Sequence, residues 1–159
     1  MNTSNHTSYP SPKRGFTLVE IMIVVAIIGI LAAMAGVAFK KTRDRSIATR
    51  VANDLRVFAD AFQTYSLENG AYPNDVGPAT VPTGMAEYIK PGLFTSETPA
   101  GGRYDWDEGV FGITAAVSLM NPTVDNSVLL EVDKIIDDGG ASTGYVKIMS
   151  GRLLYIIEG

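Results

Sequence analysis

The sequence has no cysteine and a single histidine, His6. The first absence excludes disulfides and thiolate metal sites. The second leaves little room for imidazole chemistry. His6 lies in MNTSNHTSYPSP, a polar stretch without an apolar period, which reads as disordered. Proline is missing between Pro12 and Pro73, so nothing in that span forces a helix to break. Charge is missing from Ile21 to Phe39, a run of 19 residues. Basic residues are scarce towards the C-terminus: from Ala71 onward there are 5, against 12 acidic ones. Such an acidic segment repels a phosphate backbone, so no nucleic-acid partner is expected. A chain of 159 residues has room for one globular domain plus attachments.

What is present is concentrated at the start. The charge-free run covers about 28 Å as a helix, close to the thickness of a bilayer core. Three readings compete. An ordinary secretory signal would use Lys13 and Arg14 as its basic flank and Ala33-Met34-Ala35 as a small-x-small cleavage site. Against it, the run is longer than a usual signal core, and Glu20 interrupts its start. A plain membrane anchor fits the length, with Gly29, Ala33 and Gly36 allowing close helix approach. Glu20 would then complete a T-x-x-E capping box with Thr17. In the third reading Glu20 gains a partner later. A cut after Gly15 would create an ammonium at Phe16, which could neutralise Glu20 of a neighbouring copy. Burying that pair costs much less than burying either charge alone.

The segment Lys13-Arg14-Gly15-Phe16-Thr17-Leu18-Val19-Glu20, followed by the apolar run, resembles the leader of type IV pilins and type II secretion pseudopilins. The resemblance implies cleavage between Gly15 and Phe16 by a prepilin peptidase, N-methylation of Phe16, and Glu20 as the assembly carboxylate. It implies self-association into a helical filament, with an assembly platform, related minor subunits and inner-membrane lipid as further partners. It also implies a bacterial inner-membrane protein, single-pass, with its C-terminal head outside the cytoplasm. Lys40, Lys41, Arg43 and Arg45 follow the apolar run, and by the positive-inside rule alone they favour the opposite orientation. The resemblance overrides that rule, because the peptidase needs Gly15 on the cytoplasmic side. The family's frequent mid-helix proline is absent here, and Gly29 and Gly36 offer a weaker source of flexibility.

Beyond the run, Ile47, Val51, Leu55, Phe58, Phe62 and Tyr65 form an amphipathic stripe. The helix is expected to continue from Phe16 to Glu68, about 80 Å, and to stop at Gly70 with Pro73 beyond. The basic cluster Lys40–Arg45 then lies where the helix leaves the lipid and reads as a headgroup anchor. This predicts a leader (1–15), a transmembrane or filament-core helix (16–39), its amphipathic continuation (40–70) and a head domain (71–159). Residues 71–102 read as an ordered loop with a short helix near Gly84–Lys90. A half-buried strand is predicted from Phe111 to Leu119. A helix is predicted through Val128–Ile136, capped at Asp125–Ser127 and ended by Gly139-Gly140. A hairpin is predicted from Tyr145–Met149 and Arg152–Ile157 around Ser150-Gly151. The fold class is α+β and pilin-like: one long helix, half transmembrane, packed on a small antiparallel sheet. The Asn69-Gly70-Ala71-Tyr72-Pro73 junction and the missing cysteine pair lean the resemblance towards a secretion pseudopilin. The alternative is a type IV pilus subunit.

Two acidic clusters occur in the head, Asp105/Asp107/Glu108 and Asp133/Asp137/Asp138. Carboxylate-rich loops hold Ca²⁺, and major pseudopilins carry a head-domain calcium site. Neither cluster has the spacing of a calcium loop, so both read as solvated acidic surface with no resident cofactor, and a calcium ion in the head domain is the alternative. Tyr104, Trp106 and Phe111 read as core or sheet-edge aromatics. Cleavage would also remove His6, so a mature chain without His or Cys is expected not to be an enzyme. A carbohydrate- or protein-binding surface on the head stays open.

Overall fold

The computed structural model describes residues 15–149 and 151–159. The leader residues 1–14, with Lys13 and Arg14, and Ser150 of the hairpin turn lie outside the described residues. The chain divides at Lys40 into two compact units. One continuous helix, α1 (Leu18–Asn69), runs through both. In the first unit its apolar side chains are exposed, Leu18, Ile23, Ile30 and Phe39 among them. By length and composition α1 can cross a membrane.

The second unit holds the core. After α1 come a 3₁₀ turn (Met85–Glu87), α2 (Pro91–Thr95), β1 (Arg103–Glu108), β2 (Ala115–Met120), α3 (Asn126–Ile136), β3 (Val146–Met149) and β4 (Arg152–Glu158). The four strands form one antiparallel sheet in the order β1-β2-β4-β3. The stripe read from the sequence is the face that packs on it: Val51, Leu55, Phe58 and Phe62 are buried. Phe62 stacks on Trp106 with centroids 3.8 Å apart, and Phe58 meets Tyr104 edge-on at 4.9 Å. The polar ends of these rings are satisfied: Trp106 Nε1 donates to Pro73 O at 2.8 Å, and Tyr104 Oη donates to Asp54 at 3.0 Å. Burial and the Asp54 charge both push the Tyr104 hydroxyl well above the usual phenol range. Gly70, at φ 79° and with its N–H bonded to Ser66 O, ends α1 as its C-cap signal predicted.

Three expectations are corrected. The strand expected from Phe111 begins at Ala115, because Phe111 (φ 55°) and Gly112 (φ 72°) adopt left-handed backbone that no strand accommodates. Phe111 is therefore exposed, not a core aromatic, while Tyr104 and Trp106 are fully buried. The segment read as loop up to residue 102 also contains α2, which begins at Pro91, where a missing N–H is harmless. Finally, Asp105 and Asp107 are not solvated surface. They lie on β1, a strand the sequence reading missed, and are buried, as is Asp133.

Candidate processing and assembly site

The N-terminal site is built by the start of α1. Gly15, Phe16 and Thr17 precede the helix, and Phe16 is 81% exposed. An open, non-helical backbone at Gly15–Phe16 is what a peptidase needs to seat a scissile bond. A side chain at Gly15 would meet nothing within 4 Å, so the helix itself does not demand glycine there. Thr17 and Glu20 make a reciprocal cap. The Glu20 N–H donates to Thr17 Oγ1 at 3.2 Å, and the Thr17 N–H donates back to Glu20 Oε2 at 3.1 Å. The Thr17 hydroxyl donates to the same carboxylate oxygen at 3.0 Å. These bonds occupy donors that a helix N-terminus leaves orphaned, and the carboxylate suits the positive end of the helix dipole. Gly15, Phe16 and Glu20 thus sit together at one exposed helix start.

In the head, the structure brings together groups that lie far apart in sequence. Alternation on β1 sends Tyr104 and Trp106 to the α1 side and Asp105 and Asp107 to the other face. There the Arg152 guanidinium pairs with Asp107, lies 3.4 Å from Asp105 Oδ2, and donates to Ser118 Oγ at 3.2 Å. It also covers the Phe111 ring at 5.0 Å. One guanidinium faces two buried carboxylates, and among the described residues Asp105 Oδ1 and Asp107 Oδ2 have no hydrogen-bond partner. Burial, and then the Asp107 charge, push the Asp105 carboxyl up to about 7, against the opposing pull of Arg152. The alternating Tyr-Asp-Trp-Asp pattern was the available signal for this strand.

The second cluster closes the exit of α3. Asp133, Asp137 and Asp138 place carboxylate oxygens within 4.8 Å of one another. Most of these oxygens are used to fold the following turn. Asp138 accepts from the Gly140 N–H at 2.7 Å and the Thr143 hydroxyl at 2.8 Å, which hold it below the usual carboxylate range. Asp137 accepts from the Tyr145 N–H at 2.5 Å. Asp133 accepts from the Gly139 N–H at 3.3 Å, and burial raises its carboxyl.

The chain is similar to known proteins. Residues 10–36 match the family described as the prokaryotic N-terminal methylation motif. The chain is 43% identical over 62 residues to the type II secretion system core protein G of Pseudomonas aeruginosa, covering 39% of this chain and 44% of that protein. It thus spans less than half the length of that relative. It is 34% identical over 107 residues to fimbrial protein Q of Moraxella bovis, covering 64% of this chain and 68% of that protein. A solved structure, the major type IV pilin PilA1 from Clostridium difficile, has a TM-score of 0.49 at 13% identity, over 73% of this chain and 97% of that one.

Proposed function

The chain belongs to the family of type IV pilins and type II secretion pseudopilins, and from that premise we propose that it is a structural subunit of a pilus-like filament. It is made as a precursor, cut between Gly15 and Phe16, methylated at Phe16 and assembled through α1. The observation that carries this is the exposed helix start, where the family motif, an accessible Gly15–Phe16 bond and the Glu20 carboxylate coincide. The exposed apolar half of α1 spans the inner membrane before assembly and packs against other copies afterwards. The head lies outside the cytoplasm, nucleic acid is not a ligand, and the subunit carries no enzymatic activity.

The system served is a type II secretion apparatus, as the core protein G relatives support. A second reading, a type IV pilus subunit, is favoured by one specific observation. The match to the Moraxella fimbrial protein extends over 107 residues and 68% of that protein, against 87 residues and 60% for the core protein G of Escherichia coli.

Mass spectrometry of the protein from its native membrane tests the processing. The expected N-terminus is Phe16, at a mass one methylene above the unmodified chain. An N-terminus at Gly36, from a cut after Ala33-Met34-Ala35, would sink the proposal. We further propose that the α3 exit is a hydrogen-bonded turn that needs no resident metal, since backbone and hydroxyl donors occupy four of its carboxylate oxygens. The melting temperature is then the same in millimolar calcium as in chelator. A rise in calcium that Asp138→Asn abolishes would overturn this.

A further inference from the structure

We propose that the basic face of α1 around Lys41 and Arg45 docks into the acidic, tyrosine-walled pocket at the C-terminal end of α1 in a second copy of this chain. The inference rests on the filament reading and adds a second contact to it.

The two surfaces are complementary and lie on one helix. Lys41, Arg45, Ser46, Thr49 and Arg50 line a shallow groove of about 790 Å³, with the three cations exposed. The acid in that groove, Asp54, already accepts a hydrogen bond from Tyr104. Arg45 reaches Glu131 at 3.8 Å while staying 76% exposed. An ion pair that long and that solvated contributes little, so it does not occupy the guanidinium. At the other end, Tyr65, Asn69, Gly84, Glu87 and Tyr88 line a pocket of about 440 Å³. Glu68 stands beside it, accepting from the Tyr88 hydroxyl at 2.5 Å, and both Glu68 and Glu87 are exposed. The rings of Tyr65 and Tyr88 meet edge-to-face at 5.5 Å. Gly84 permits this wall: a Cβ there would come within 2.9 Å of the Tyr65 ring. No basic residue offsets the negative end of the helix dipole in the last turn of α1. Carboxylates, ring faces and a helix C-terminus all select a cation, and a guanidinium satisfies them together.

The occupant follows from the geometry. From Arg45 to Glu68 is 23 residues of continuous helix, about 35 Å along its axis. A parallel copy displaced by that distance sets the basic face of one chain against the acidic pocket of the next. Unshifted parallel packing would instead place cation beside cation. Because the two surfaces differ, each added copy leaves one of each unsatisfied, and such a contact propagates without closing.

The test uses the full-length chain, expressed where it is processed and assembled. Lys41→Glu with Arg45→Glu, and separately Glu68→Lys with Glu87→Lys, are each expected to lower the filament yield at least tenfold. All four changes in one chain restore it. Independently, Lys41→Cys with Glu87→Cys in this cysteine-free chain yields an oxidation-dependent ladder of multimers. Wild-type yields from both charge reversals without a ladder overturn the contact, as does loss without rescue or ladder. Reduced binding to anionic vesicles with assembly unchanged would also overturn it, by making lipid headgroups the partner of the basic face. In those cases Phe16 processing and Glu20-dependent assembly of the wild type persist, so the filament reading stands. If the wild type forms no filament at all, both fall.

Discussion

Replacing Glu20 by valine is expected to abolish filaments while leaving the head folded. Two roles of that carboxylate must be separated. As a cap it holds the Thr17 N–H and hydroxyl, an exposed arrangement worth about 1 kcal/mol. As the proposed partner for the Phe16 ammonium of a neighbour it would neutralise a charge that is otherwise buried in apolar surroundings, at a cost of several kcal/mol. Glu20→Gln separates the two, because glutamine also serves in a capping box but carries no charge. Both Glu20→Val and Glu20→Gln are therefore expected to lower the yield of sheared filament by more than about tenfold, since ~1.4 kcal/mol per contact already corresponds to a factor of ten. The head should melt as in the wild type in either variant, because its core lies within the second unit, well away from Glu20 in the chain. Normal assembly of Glu20→Gln would leave only the capping role and refute the ion pair.

The contrast between this site and the head shows what a sequence can reveal. The capping box was legible because Thr17 and Glu20 are three residues apart and their geometry is local. The helix stripe was legible for the same reason: Val51, Leu55, Phe58 and Phe62 fall on one face by the helical period alone, whatever covers them. Gly70 announced its own left-handed conformation. The failures have a common cause. Asp105 and Asp107 looked solvated because their counter-ion, Arg152, is 45 residues from Asp107 in the chain and meets it only through sheet register. Phe111 looked like a strand residue because its apolar character fits the alternation, whereas the Gly109–Thr114 turn removes it from the sheet. The acidic pocket of Glu68 and Glu87 depends on Tyr88 folding back onto the end of α1, which no local period encodes.

Removing Arg152 is expected to cost the head about 3–5 kcal/mol at pH 8, the usual penalty for leaving a buried charge without its partner. Arg152→Met keeps much of the side-chain volume and removes the charge, so Asp105 and Asp107 are left facing each other without their shared counter-ion. Urea unfolding of the full chain in micelles measures this, and an unchanged midpoint would mean that the two carboxylates are hydrated. Acid should shrink the defect, because protonating the pair removes the repulsion. The same network sets the pH dependence of the wild type. The Asp105 carboxyl is raised to about 7 by burial and by Asp107, with Asp75 adding to the repulsion and Arg152 opposing it. Between about pH 4 and pH 7 the folded chain holds a proton that the unfolded chain has released, so stability falls as pH rises through that window and is flat above it. Over about three pH units, at roughly 1.4 kcal/mol each, the loss is on the order of 4 kcal/mol. Asp105→Asn keeps the shape without the titration: it should match the wild type near pH 4, exceed it at pH 8 and erase the slope between. A slope that survives Asp105→Asn would place the titrating group elsewhere, with Asp133, raised by burial at the exit of α3, as the next to substitute.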